Sequence, residues 1–135
     1  MTIKVALAGA GAFGTKHLDA MKLIDGVQVV SLVGRELGKT QEIADKYGIA
    51  HVTTDLAQSL AIKEVDAVIL CTPTQMHAAQ ALACLAAGKH VQVEIPLCDV
   101  LKDGEEVVAK AKASGLVAMC GHTRRFNPSH QYVHK

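Results

Sequence analysis

Residues 5–14 read VALAGAGAFG, an apolar run that breaks into three glycines, Gly9, Gly11 and Gly14, at G-x-G-x-x-G spacing. The spacing carries weight only where it follows a strand and opens a helix. Here Ile3–Ala8 has the pattern of a buried strand, and Ala12–Ile24 that of a helix with Leu18, Met21 and Ile24 along one face. In that setting Gly9 permits a tight turn, Gly11 lets the backbone approach a pyrophosphate, and Gly14 lets helix close on strand. The N–H groups of Ala12 and Phe13, at the positive end of the helix, then face the anion. A tight turn with no ligand is the alternative.

The rest of the chain continues the alternation. Val27–Val33, His51–Thr53, Asp66–Leu70, His90–Val93 and Leu116–Met119 are predicted strands. Leu37–Tyr47, Asp55–Ala61, Thr74–Ala87 and Val100–Ala113 are predicted helices, with Thr74 as a cap. Gly26, Gly48, Gly88 and Gly115 stand where helices should stop. Half the residues are hydrophobic and only 3% aromatic, which suits β-branched strands under Ala-rich helices. Near-continuous apolar strands between helices predict an α/β fold: a doubly wound, mostly parallel sheet of the Rossmann type, with ligands at the carboxyl ends of its strands. At 135 residues there is room for one such domain, residues 1–121. The polar, basic stretch HTRRFNPSHQYVHK, residues 122–135, leaves the last strand without closing a fold. It is expected to begin a crossover into a second domain, the alternative being a disordered tail.

Fourteen Lys and Arg against thirteen Asp and Glu give a formal charge of +1, which supports no nucleic-acid or membrane partner through bulk charge. No apolar run approaches the roughly 20 residues of a membrane span, and the chain enters a strand pattern at once, without a signal-peptide pattern. Cys71, Cys84, Cys98 and Cys120 show no C-x-x-C spacing, so neither a metal nor a disulfide framework is expected and a cytoplasmic setting is.

Cofactor choice falls to the second strand. An NAD site usually carries an acid at its end to bind the ribose 2′-hydroxyl, yet this strand ends LVGRE. Arg35 stands close to the expected position behind Gly34, and a guanidinium suits a 2′-phosphate. NADP is therefore expected, with NAD possible through Glu36; a solvated loop arginine is the alternative. After the fourth strand, CTPTQMH places Cys71, Thr72, Pro73 and Thr74 in a rigid turn that lines the cofactor, with His77 on the first helical turn at the same rim. Glu94 ends the fifth strand there, and burying its charge is costly unless it meets donors such as ribose hydroxyls.

GAGAFG, CTPTQMH, GKHVQVEIPL and GHTRRFNP, in this order, resemble the glucose–fructose oxidoreductase/inositol dehydrogenase (Gfo/Idh/MocA) family over its N-terminal half. The resemblance implies a second α/β domain that closes the substrate site and commonly forms a homo-oligomer, so these residues alone are not expected to turn over substrate. It makes Glu94 the ribose-binding glutamate of a Glu-Lys-Pro motif, in which Ile95 replaces the catalytic lysine and Pro96 keeps the proline. EIPL combined with HTRRFNPSHQ is similar to members that oxidise a carboxylated semialdehyde as its cyclic hemiacetal, a substrate whose ring closure dispenses with an enzyme nucleophile. Sugar or polyol oxidation, or dinucleotide binding without catalysis, are the alternatives. His122, Arg124 and Arg125, just past a strand end, are candidates for an acidic substrate, and His122 or His77 for accepting its proton. A thiohemiacetal at Cys71 or Cys120 has no visible activating partner.

Overall fold

The computed structural model describes all 135 residues, Met1–Lys135. Six strands, β1 (Ile3–Ala8), β2 (Val27–Val33), β3 (His51–Thr53), β4 (Ala67–Leu70), β5 (His90–Glu94) and β6 (Ala118–Gly121), form one sheet in the order β3-β2-β1-β4-β5-β6. Every pairing is parallel. The order reverses between β1 and β4, and a doubly wound sheet binds ligands at such a switch point, outside the carboxyl ends of its strands.

Side chains alternate across β1, and the core divides accordingly. Ala6 and Ala8 join a cluster with Val68, Leu70, Val91 and Val93, covered by Ala78, Ala81, Cys84 and Leu85 of α4 (Thr74–Ala86) and Val107 of α5 (Leu101–Ser114). Val5 and Leu7 point the other way, onto Leu18 and Met21 of α1 (Ala12–Met21) and Ala44 of α2 (Leu37–Tyr47). A short helix, α3 (Leu56–Leu60), is capped by Asp55, whose carboxylate accepts from the Ala57 N–H. Small α4 residues let that helix lie close to the sheet, so alanines serve where larger side chains would hold it off.

Several element ends differ from the sequence expectation by a single residue, and three larger departures have local reasons. α1 stops at Met21 instead of Ile24, because the bonding tightens there to Leu23 N–H on Ala20 and Ile24 N–H on Met21, and both apolar side chains stay exposed. Thr74 makes no capping bond; it is the first helical residue, and Pro73 holds the cap position with extended backbone. β6 begins two residues late, since its register is set by β5, with Val91 opposite Ala118 and Glu94 opposite Gly121. Residues past β6 form a 3₁₀ turn (Thr123–Phe126) and a last helix, α6 (Pro128–His134), neither of which buries a side chain. Ile95, Val117, Met119 and Phe126 are exposed as well. No helix is long and apolar enough to cross a membrane.

Candidate functional site

The glycine turn sits at the switch point. Gly9 has φ +107°, and a Cβ on it would fall 2.4 Å from the Cys71 carbonyl oxygen, so the turn after β1 is pressed against the residue after β4. A side chain there is excluded twice, by backbone conformation and by space. A Cβ on Gly14 would lie 1.8 Å from the Gly9 carbonyl oxygen; only glycine lets α1 start this close to β1. Gly11 differs from both, for a Cβ there would meet nothing within 4 Å. The space beside it is what a pyrophosphate approaching the backbone requires. The first helical bond runs from Thr15 N–H to the Gly11 carbonyl, and the N–H groups of Ala12 and Phe13 precede it. The cradle fits a dinucleotide phosphate.

At the end of β2, Arg35 is exposed and the Glu36 carboxylate lies 2.9 Å from Lys39 Nζ. Gly34 has a purpose the sequence did not reveal. Its Cβ would stand 1.9 Å from Thr40 Oγ1, so the glycine makes room for a threonine of α2 that donates to the Glu36 carbonyl, 2.6 Å away.

Across the switch point, Glu94 is the last residue of β5, 8% exposed, and it already has a partner within the protein. Its Oε1 accepts from His17 Nε2 at 2.7 Å, which fixes that ring nitrogen as the protonated one. His17, on the second turn of α1, was not a sequence candidate: it lies 77 positions from Glu94, and nothing in the local pattern distinguishes it. Space for the carboxylate comes from Gly121, where a Cβ would be 3.0 Å from Glu94 Oε1. The Cys71 thiol adjoins this pair, and its pKa is pushed up to about 12 by burial first and by the Glu94 charge second. Cys120 is raised in the same order of causes, with a further contribution from Cys98. Neither thiol is an available nucleophile near neutrality, because the reactive form is the thiolate.

His77 is placed differently from the expectation of a rim acid or base. It is 2% exposed, with Nδ1 2.8 Å from the Pro96 carbonyl and Nε2 2.7 Å from the Thr72 carbonyl. No ring nitrogen is left to take a substrate proton. The imidazole instead ties the Thr72–Pro73 turn to the Ile95–Pro96 turn, whose peptide is cis, and so links the segments that follow β4 and β5. Ile95 is 42% exposed at the end of β5. His122 follows Gly121, the strand partner of Glu94, and is exposed on the same rim; Arg124 and Arg125, in the 3₁₀ turn beyond it, are exposed as well.

A family model described as an oxidoreductase family with an NAD-binding Rossmann fold (Gfo/Idh/MocA) matches residues 3–122. Among curated proteins, the 4-carboxy-2-hydroxymuconate-6-semialdehyde dehydrogenase of Sphingobium sp. strain SYK-6 is 63% identical over 132 residues, covering 98% of this chain and 42% of the relative. The NADP(+) scyllo-inositol 2-dehydrogenase of Bacillus subtilis is 30% identical over 133 residues, 98% of this chain and 40% of the relative. A solved structure, biliverdin reductase of Synechocystis sp. PCC 6803 in complex with biliverdin and NADP+, superposes with a TM-score of 0.91 at 26% identity, covering 98% of this chain and 42% of that one. The chain thus spans about two fifths of the length of these relatives.

Proposed function

The chain belongs to the Gfo/Idh/MocA family of oxidoreductases, and from that premise we propose that it is the nucleotide-binding part of an NADP-linked dehydrogenase acting on 4-carboxy-2-hydroxymuconate-6-semialdehyde. The observation that carries the substrate is the 63% identity to the Sphingobium enzyme across nearly all of this chain. Local chemistry agrees with it. Ile95 can neither relay a proton nor polarise a hydroxyl, and the neighbouring thiols are held in their protonated form. A substrate that closes on its own oxygen to a cyclic hemiacetal needs neither group. Its carbon already bears the hydrogen that leaves as hydride and the hydroxyl that gives up its proton.

A bound dinucleotide would supply the hydride acceptor, and this chain's residues would hold it. Gly9, Gly11 and Gly14 shape its phosphate cradle, and Glu94 offers its second carboxylate oxygen to ribose hydroxyls while His17 holds the first. Arg35 receives the 2′-phosphate, with Lys39 drawing Glu36 aside. His122 takes the hydroxyl proton, leaving the lactone 2-pyrone-4,6-dicarboxylate, and Arg124 and Arg125 meet the substrate carboxylates. The four free cysteines suit a cytoplasmic setting.

Paired titration of the chain with NADPH and NADH, with an Arg35→Ala variant alongside, tests the cofactor. NADPH should bind more tightly, and the variant should lose that preference while keeping its NADH affinity. Equal affinity for both in the unmodified chain would overturn the role of Arg35. For the substrate, these 135 residues joined to the remaining part of the Sphingobium relative should reduce NADP with the semialdehyde. A chimera that folds and binds NADPH yet shows no turnover would sink that assignment.

A further inference from the structure

Three side chains converge at the carboxyl ends of β4 and β5. His17, Cys71 and Glu94 each present one donor atom, and these atoms all lie within 4.8 Å of one another. We propose that they form a site for a borderline-soft divalent ion, zinc in particular, and that its occupancy opposes nucleotide binding.

The donor set selects the ion. One imidazole nitrogen, one sulfur and one carboxylate oxygen form a three-ligand zinc set that leaves a fourth position for water. Calcium and magnesium would find a single carboxylate and a thiol, which is a poor site for hard cations. Bonds of about 2.0–2.3 Å in tetrahedral geometry hold donor atoms roughly 3.3–3.8 Å apart. The 2.7 Å contact between His17 and Glu94 has to open by less than about 1 Å, and donors as far apart as 4.8 Å have to close by about 1 Å, both within reach of side-chain rotation. On coordination Cys71 gives its thiol proton to solvent, and the His17 proton passes from Nε2 to Nδ1. The thiolate and carboxylate then neutralise the two positive charges of the ion. Access exists, since the side chains of His17 and Glu94 keep 17% and 10% of their exposure and Cys71 is half-buried.

Two contacts couple the ion to the nucleotide. Glu94 is common to both, so a carboxylate drawn to the metal is withdrawn from ribose hydroxyls. Cys71 is also locked to the glycine turn: its N–H donates to the Ala8 carbonyl at 2.7 Å, and its own carbonyl leaves no room for a Cβ on Gly9. Any shift of Cys71 toward a metal is passed to the phosphate cradle. Occupancy by metal stands without the dinucleotide reading, whereas the competition rests on it.

Cobalt(II) is the probe, because a thiolate ligand gives it a sulfur-to-cobalt charge-transfer absorption. Titration of the 135-residue chain should produce that band at one ion per chain, and zinc should bleach it. Cys71→Ser should abolish the band, and His17→Gln should weaken zinc by at least about tenfold, as losing a ligand's supporting partner alone already does. Changing His130 and His134 of α6 to alanine should leave the band intact. Absence of the band, its persistence in folded Cys71→Ser, or its loss in the α6 variant would overturn the site. Should Cys71→Ser fail to fold by circular dichroism, the His17→Gln titration decides, and unchanged zinc affinity there overturns the site. Apparent NADPH affinity should fall as zinc is added to the unmodified chain but not to the His17→Gln variant; independent binding of the two would overturn the competition. A chain that shows the band but never binds NADPH refutes the dinucleotide reading and leaves the metal site standing.

Discussion

Changing Gly14 to alanine places a methyl group 1.8 Å from the Gly9 carbonyl oxygen, where ordinary contact begins near 3.4 Å. The Gly9 oxygen belongs to backbone and the methyl is fixed directly to Cα, so neither can swing away and the start of α1 has to retreat by roughly 1.6 Å. Leu18 and Met21, which α1 presses to 2% and 8% exposure against Val5, Leu7 and Leu32, retreat with it. A gap of even half that size forfeits a large part of the dispersion contact. The expected cost is about 3 kcal/mol, the upper end for an overpacked site. For a chain of this length that lowers Tm by roughly 10 °C. Gly11→Ala is the matched control, since its φ of −83° suits any residue and its Cβ meets no atom. It should cost about 1 kcal/mol at most, through the poorer cap, yet reduce NADPH affinity at least about tenfold by filling the phosphate approach. Thermal unfolding followed by circular dichroism, with an NADPH titration of each variant, separates the two effects. An unshifted Tm for Gly14→Ala would refute the packing argument, and undiminished NADPH affinity in Gly11→Ala would refute the cradle.

Alkylation should spare Cys71 and Cys84 near neutrality, because both are raised to about 12 by burial and a thiol of that pKa is ionised roughly once in 10⁵ molecules at pH 7. Mass spectrometry of the native chain should show each labelled far more slowly than in denaturant; equal rates would contradict the burial. Both thiols titrate higher in the fold than their ordinary 9.0, so their effect on stability is nil below pH 9 and stability is lost as pH rises from 9 toward 12. Gly34→Ala should destabilise the chain by about 1–3 kcal/mol through its 1.9 Å clash with Thr40 Oγ1. Thr40→Ala should recover part of that loss in a double-mutant cycle, and strict additivity would mean the two residues do not meet.

Much of the sheet was legible because one periodicity governs both packing and pairing. Val5, Leu7, Val91 and Val93 announce strands by type and by spacing, and the glycine turn announces its own context. The failures share a different origin. β6 was displaced by two residues because Leu116 and Val117 look like strand residues, while register depends on a partner strand that local pattern does not contain. His77 was correctly set on the first turn of α4, but its burial follows from two carbonyls, at Thr72 and Pro96, that only the folded loops bring to it. His17 is the clearest omission. Its partner Glu94 was conspicuous as a charge at a buried strand end and was assigned to a ligand, whereas the fold supplies a histidine from another element. Long-range polar pairs of this kind leave no periodic trace.

The alternation along β1 also bears on how the molecule opens. Ala6 and Ala8 belong to one hydrophobic layer, Val5 and Leu7 to the other, and on β2 Val33 and Leu32 divide in the same way. Neither layer can loosen at this central strand without disturbing the residues that anchor its opposite. Amide hydrogen exchange should therefore find β1, β2 and β4 in one cooperative unit that opens only with the whole chain, while α6 and the 3₁₀ turn, which bury nothing, exchange as freely fraying ends.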